Sequence, residues 1–117
     1  RFEKMDRIPL NEIAEERYLD RLNCEFREVY FELFEERNIK VSVNYRSERE
    51  DWIQNMVLED MGVTLIPEYS IILDRLEHRP VTDPDVTRRV EIVTVAGRAR
   101  LPAVDAFIHE ATAHIWH

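Results

Sequence analysis

The chain has 117 residues, 44% hydrophobic and 34% charged, which suits one folded domain with a modest core and excludes a disordered tail. Its formal net charge of -8, with no lysine- or arginine-rich block, excludes a surface built to displace counterions from nucleic acid. Two glycines are too few for a glycine-rich phosphate loop, and one cysteine, Cys24, excludes an internal disulfide or a multi-cysteine zinc site.

Residues 8–17 contain a proline and a short helical turn, and read as a lead-in loop. Residues 18–22 suit a short strand. Residues 24–38 read as a helix, with Phe26, Val29, Tyr30, Leu33 and Phe34 at helical spacing, five glutamates on the other side and Asn23 as N-cap. Phe31 falls off that stripe and suits either a second contact inside the fold or an oligomer contact. Residues 40–46 alternate, with Val41, Val43 and Tyr45 on one strand face. Ser47 and Glu50 have the spacing of a capping box, which opens a helix carrying Trp52, Ile53, Met56 and Val57 inward to about Met61. Gly62 is expected to end that helix. Val63–Ile66 read as a buried strand stopping at Pro67, and Ser70–Leu76 as a short helix. Residues 78–89 form a connector. Val90, Ile92 and Val93 or Val95 suggest another strand, broken by Gly97. Pro102 then opens a last helix with Val104, Phe107, Ile108, Ala111 and Ile115 inward.

Alternating strands and helices with short links imply an α/β fold with a mostly parallel sheet. Ligands of such sheets bind at the carboxyl ends of strands, beside helix N-termini. Those places here are Asn23–Cys24–Glu25, Ser47–Glu48–Arg49 and Pro67–Glu68. The candidate site residues are therefore Asn23, Cys24, Ser47, Glu48, Arg49 and Pro67.

The run MVLEDMGVTLIP, residues 56–67, resembles the signature of LysR-type effector domains, in which a helix ends at a glycine-containing turn and a buried strand follows up to a proline. The lead-in PLNEIAEERYL and the tail VEIVTVAGRARLPAVDAFIHEA are similar to the family's flanking pieces, so the resemblance covers nearly the whole chain. It implies a Rossmann-like half of a periplasmic-binding-protein-like (type 2) domain. Residues 5 to 75 would be the second subdomain, and 88–116 a strand and helix crossing back to the first. It also implies a small-molecule effector in the cleft between subdomains, self-association to a dimer or tetramer, and DNA contact only through a helix-turn-helix upstream of Arg1. The chain begins at Arg1 and in mid-pattern, so it is expected to be a piece of a longer protein. Two departures stand out. Asp60 sits where many members place the first of two glycines, and Glu48 and Arg49 stand where a small hydroxyl residue often meets the effector. Arg49 would suit a carboxylate or phosphate effector through its fork.

Cys24 falls at the expected start of a helix, where partial positive charge favours a thiolate, and Arg21 or Arg27 would add to it. The run from Cys24-Glu25-Phe26-Arg27 to Leu33-Phe34-Glu35 resembles the region of the peroxidatic cysteine in OxyR-like members. Their resolving cysteine lies nine positions later, and here that place holds Leu33. Cys24 reads first as a buried or cleft-lining structural residue and second as a redox sensor acting through sulfenic acid alone or with a partner thiol elsewhere.

His109 and His114 in the tail HEATAH are five apart, roughly 140° around a helix, which does not make the zinc-protease pair. His114 and His117 are three apart and suit only weak chelation. No metal site, no cofactor and no enzymatic activity are expected. A stand-alone α/β binding or adaptor module is the alternative to a regulator fragment. No apolar run approaches a membrane span, no signal peptide is visible, and the single cysteine suits a reducing, cytoplasmic setting.

Overall fold

In a computed structural model, residues 1–116 are described. The elements in chain order are β1 (Ile8–Pro9), β2 (Arg17–Arg21), α1 (Arg27–Glu36), β3 (Ser42–Ser47), α2 (Glu50–Leu58), β4 (Val81–Thr82) and α3 (Pro102–Ala113), with short 3-10 turns at Phe2–Lys4, Leu10–Ile13 and Glu68–Ser70. The chain divides into two compact units, Arg1–Val86 and Thr87–His117.

In the first unit β2 pairs with β3 in parallel, with a register shift between Tyr18 and Leu19. Residue 63 bridges the other side of β2, also in parallel: Val63 N–H donates to Arg17 O at 2.8 Å and Leu19 N–H to Val63 O at 2.9 Å. β2 is thus the central strand of this ladder, and three chain segments run the same way beside one another. β1 and β4 form a separate parallel pair, Ile8 with Val81 and Pro9 with Thr82. The expected α/β fold with parallel strands is what the chain adopts.

Side chains alternate across a strand, and β2 shows the consequence. Tyr18 and Asp20 engage α1 side chains on one face, and Arg21 engages α2 on the other. Tyr18 meets Phe34 edge-on at 5.8 Å and Phe31 at 6.2 Å, in a core with Leu10, Ile13, Ile39 and Leu65. Phe31 therefore makes the second contact inside the fold that its off-stripe position suggested. Each such aromatic pair contributes about 1 kcal/mol beyond its area.

Both helices of this unit end in the same way. Asn38, with φ 54°, follows α1; its N–H reaches Glu35 O at 3.1 Å, and Ile39 N–H reaches Phe34 O at 2.8 Å. Asp60, with φ 56°, follows α2; its N–H reaches Val57 O and Met61 N–H reaches Met56 O, both at 3.0 Å. These are Schellman closures with a left-handed residue just past the helix. Asp60, not Gly62, supplies that conformation after α2. Gly62 is needed for a different reason: a Cβ there would lie 2.4 Å from the backbone oxygen of Arg17.

Several expected details are corrected. α1 begins at Arg27, with Phe26 and not Asn23 at its N-cap. Val29 is exposed, because the core-facing stripe is narrower than the spacing allowed. Tyr45 is exposed while Val41 and Val43 pack on the core. On α2, Ile53 is buried but Trp52 is 50% exposed, and Gln54 takes an inward place at 0%. Residues 71–76 form no helix, only the 3-10 turn before them being regular. In the second unit, residues 90–95 form no strand, and Val90, Ile92, Val93 and Val95 are exposed. α3 forms where expected, with Pro102 at its start, but Val104, Phe107 and Ile115 on and beyond it are exposed rather than inward.

Candidate functional site at the strand ends

Parallel pairing brings three chain ends to one edge of the sheet. β2 finishes at Arg21, β3 at Ser47, and the segment beside β2 runs from Val63 to Pro67. Leu22 N–H donates to Ser47 O at 3.0 Å, which holds the first two turns against each other.

Arg21 is the centre of this edge. Its side chain is only 8% exposed. Nε donates to both oxygens of Glu50 at 2.7 and 2.9 Å, and Nη2 to Oε2 at 2.7 Å. Nη1 donates to Leu65 O at 3.0 Å and to Cys24 Sγ at 3.3 Å. One guanidinium thereby ties the end of β2 to the neighbouring segment, to the turn before α1 and to the first turn of α2. Burial works against the Arg21 charge, but the Glu50 hydrogen bonds and nearby negative charge outweigh it and hold its pKa above the ordinary arginine value.

The opposite face of β2 carries the second buried charge. Asp20, 1% exposed in its side chain, accepts two bonds from Arg27, both at 2.8 Å, and a longer one from Arg46 at 3.3 Å. Two adjacent residues thus place opposite charges on opposite sides of one strand, each answered by a helix. Gln54 makes a further tether: Nε2 donates to Ser70 O and Oε1 accepts from Ile72 N–H, both at 2.9 Å. Thr64 Oγ1 donates to Leu19 O at 2.8 Å. These bonds fix the segment that leaves the sheet at Pro67.

The residues expected at the site are distributed as follows. Cys24 lies half-buried in the turn before α1, where Cys24 N–H reaches Arg21 O at 3.2 Å and Arg27 N–H reaches Cys24 O at 3.0 Å. It stands three residues ahead of the helix, so the helix N-terminus is not built on it. Asn23 is exposed and sends a long 3.4 Å bond to Glu48 O, which joins the two loops. Ser47 Oγ accepts from Arg49 N–H at 2.9 Å, and Arg49 rather than Ser47 is the N-cap of α2. The capping box is absent because Glu50 turns to Arg21. Pro67 starts the 3-10 turn, its carbonyl accepting from Ser70 N–H at 2.9 Å. Asn23, Cys24, Glu48 and Pro67 therefore belong to the loops at this edge, and Ser47 ends β3 beside them.

Arg49 has other commitments. It donates to Asp51 at 3.0 and 2.7 Å and lies over the Trp52 ring at 5.3 Å. The Arg49 hydrogen bond holds the Asp51 carboxyl below the usual carboxylate range. The buried cation of this edge is Arg21, whereas Arg49 is exposed. A visible signal for Arg21 was a charged pair, Asp20-Arg21, held between Leu19 and Leu22, since buried charges require partners.

Among the described residues no group of three or more metal-ligating side chains comes together. His117 lies outside the described residues, and the His114–His117 spacing with it. No described helix is long and apolar enough to cross a membrane.

A family model for the LysR substrate binding domain matches residues 1–116. No curated protein matches the chain. The parallel strands, the helices on both faces of β2 and the loops gathered at the strand ends agree with that match. The chain belongs to the LysR substrate binding domain family, a type 2 periplasmic-binding-protein-like α/β fold that is the effector-binding region of LysR-type transcriptional regulators rather than an enzyme.

Proposed function

We propose that the edge formed by Asn23, Cys24, Arg21, Ser47, Glu48 and Pro67 is one wall of the effector cleft of a transcriptional regulator. The observation that carries this reading is the convergence of three parallel chain ends on buried Arg21. A small molecule seated there meets loop backbone groups and a cation tied to α2 and to the turn before α1, so its binding shifts how α2 and that turn sit. Residues 5 to 75 act as the second subdomain, and 88–116 return to a first subdomain that closes the cleft. The regulator is cytoplasmic, works as a dimer or tetramer and touches DNA through an upstream helix-turn-helix, because this segment itself carries a net charge of -8.

The exposed apolar residues of α3 support the crossing-back arrangement. Val104 and Phe107 are exposed, which suits a face made for another surface. In the isolated 117-residue chain that face is expected to pair between copies. Sedimentation equilibrium at rising concentration should show a dimer or an exchanged assembly, and Phe107→Ser should return it to a monomer. A wild-type chain that stays monomeric at high concentration overturns the pairing.

A further inference from the structure

Arg21 and Glu50 are unequal partners. The Arg21 side chain is 8% exposed, whereas that of Glu50 is 36% exposed. The guanidinium is also fixed from behind, since Nη1 is spent on Leu65 O and Cys24 Sγ. Its other edge, Nε and Nη2, is therefore aimed in one direction, and the only group it meets there among the described contacts is the Glu50 carboxylate. Two parallel N–H···O bonds are the geometry by which an arginine fork binds any carboxylate. Glu50 is the part free to leave: it is the first residue of α2, and a carboxylate released to solvent there still sits beside the positive end of the helix.

We propose that Glu50 stands in for the effector, and that a small carboxylate ligand takes the Nε–Nη2 edge of Arg21 and displaces Glu50. This rests on the effector-site reading above and names the ligand class for it. The argument is one of charge. A buried cation must keep an anion beside it, so a neutral ligand cannot expel Glu50 without leaving Arg21 unpaired, whereas a carboxylate replaces like with like. The net charge of -8 disfavours anions over the surface at large, which leaves the buried fork as the favoured landing point. Exchange also has a mechanical result. Glu50 is the tie between the end of β2 and the first turn of α2, so its release loosens that turn, and Gln54 on the same helix passes the change to the backbone of Ser70 and Ile72.

The test reads the Arg21 Nε–H signal in nitrogen-proton spectra of the full chain, titrated with sodium acetate at constant ionic strength and with acetamide as the uncharged match. Acetate is expected to move that signal saturably in the wild type, and about tenfold more tightly in Glu50→Gln, where the competing charge is gone. Glu50→Asp, with a shorter arm, should fall between them. Acetamide should leave the signal in place. An Arg21 signal that acetate does not move in the wild type overturns the proposal without recourse to any variant. If acetamide shifts the Asn23 and Ser47 amides while Arg21 stays still under both probes, the carboxylate assignment falls and the effector-site reading survives it.

Discussion

Phe34 and Phe107 have the same sequence credentials, each an aromatic residue on the apolar stripe of a helix, and opposite fates. Phe34 is 4% exposed and Phe107 is 66% exposed. The contrast holds for the units around them. Arg1–Val86 encloses the core of Leu10, Tyr18, Phe34, Ile39 and Leu65, whereas in Thr87–His117 no described residue is buried. Helical periodicity predicts the helix in both places, because it reports where apolar side chains share a face. It does not say what covers that face. In the first unit the cover is β2 and its neighbours, and in the second no described residue buries that face.

Truncation is the strongest way to break this comparison. Phe34→Ala is expected to cost about 4 kcal/mol, since it removes a ring that touches Tyr18, Tyr30 and Phe31 and leaves a cavity. Phe107→Ala should change monomer stability by less than about 0.5 kcal/mol. Urea unfolding of both variants at a concentration below self-association reads the difference. Equal losses would mean that α3 has a covered face after all.

The two glycines sharpen the same comparison at lower amplitude, one lying in each unit. A methyl group at Gly62 meets the Arg17 carbonyl at 2.4 Å, within the ladder that joins residue 63 to β2. Backbone must move to admit it, so Gly62→Ala should cost about 2–3 kcal/mol. Gly97 has open space around it but a φ of +72°, so Gly97→Ala pays only backbone strain, about 1 kcal/mol. If Gly97→Ala proves the more harmful, packing of the first unit is not what distinguishes them.

Much of this was legible because it depends on local pattern. β2, β3, α2 and α3 lie close to where alternation, periodicity and Pro102 put them. The parallel order then located the loops at Asn23–Cys24, Ser47–Glu48 and Pro67. What failed to show was set by partners distant in sequence. Ser47 and Glu50 have capping-box spacing, yet Glu50 is claimed by Arg21, 29 residues away. Gly62 looked like a helix terminator, but Asp60 adopts the left-handed turn and Gly62 answers to Arg17. Arg21, the last residue of β2, drew attention only as a neighbour of Cys24. The cations of this edge cannot be told apart by spacing, because burial decides which one is held in place.

The gentlest probe of the first unit needs no cavity. Burial, chiefly, and the nearby Asp20 charge push the Tyr18 hydroxyl well above the ordinary tyrosine value of 10.0, against smaller opposing effects of a Leu65 backbone hydrogen bond and the Arg21 charge. A folded value raised above the unfolded one contributes stability that is complete below about pH 10 and is lost as pH rises beyond it, because the unfolded chain then gives up its proton first. Between about pH 9 and pH 11 the wild type should therefore lose about 1 kcal/mol more than Tyr18→Phe, which has nothing to titrate at that place. Tyr30, also raised by burial, and the other tyrosines remain in both proteins and cancel in the difference. Urea midpoints across that range measure it. Parallel pH profiles would mean that the Tyr18 hydroxyl reaches solvent, and the closed core over β2, on which the contrast with α3 depends, would have to be given up.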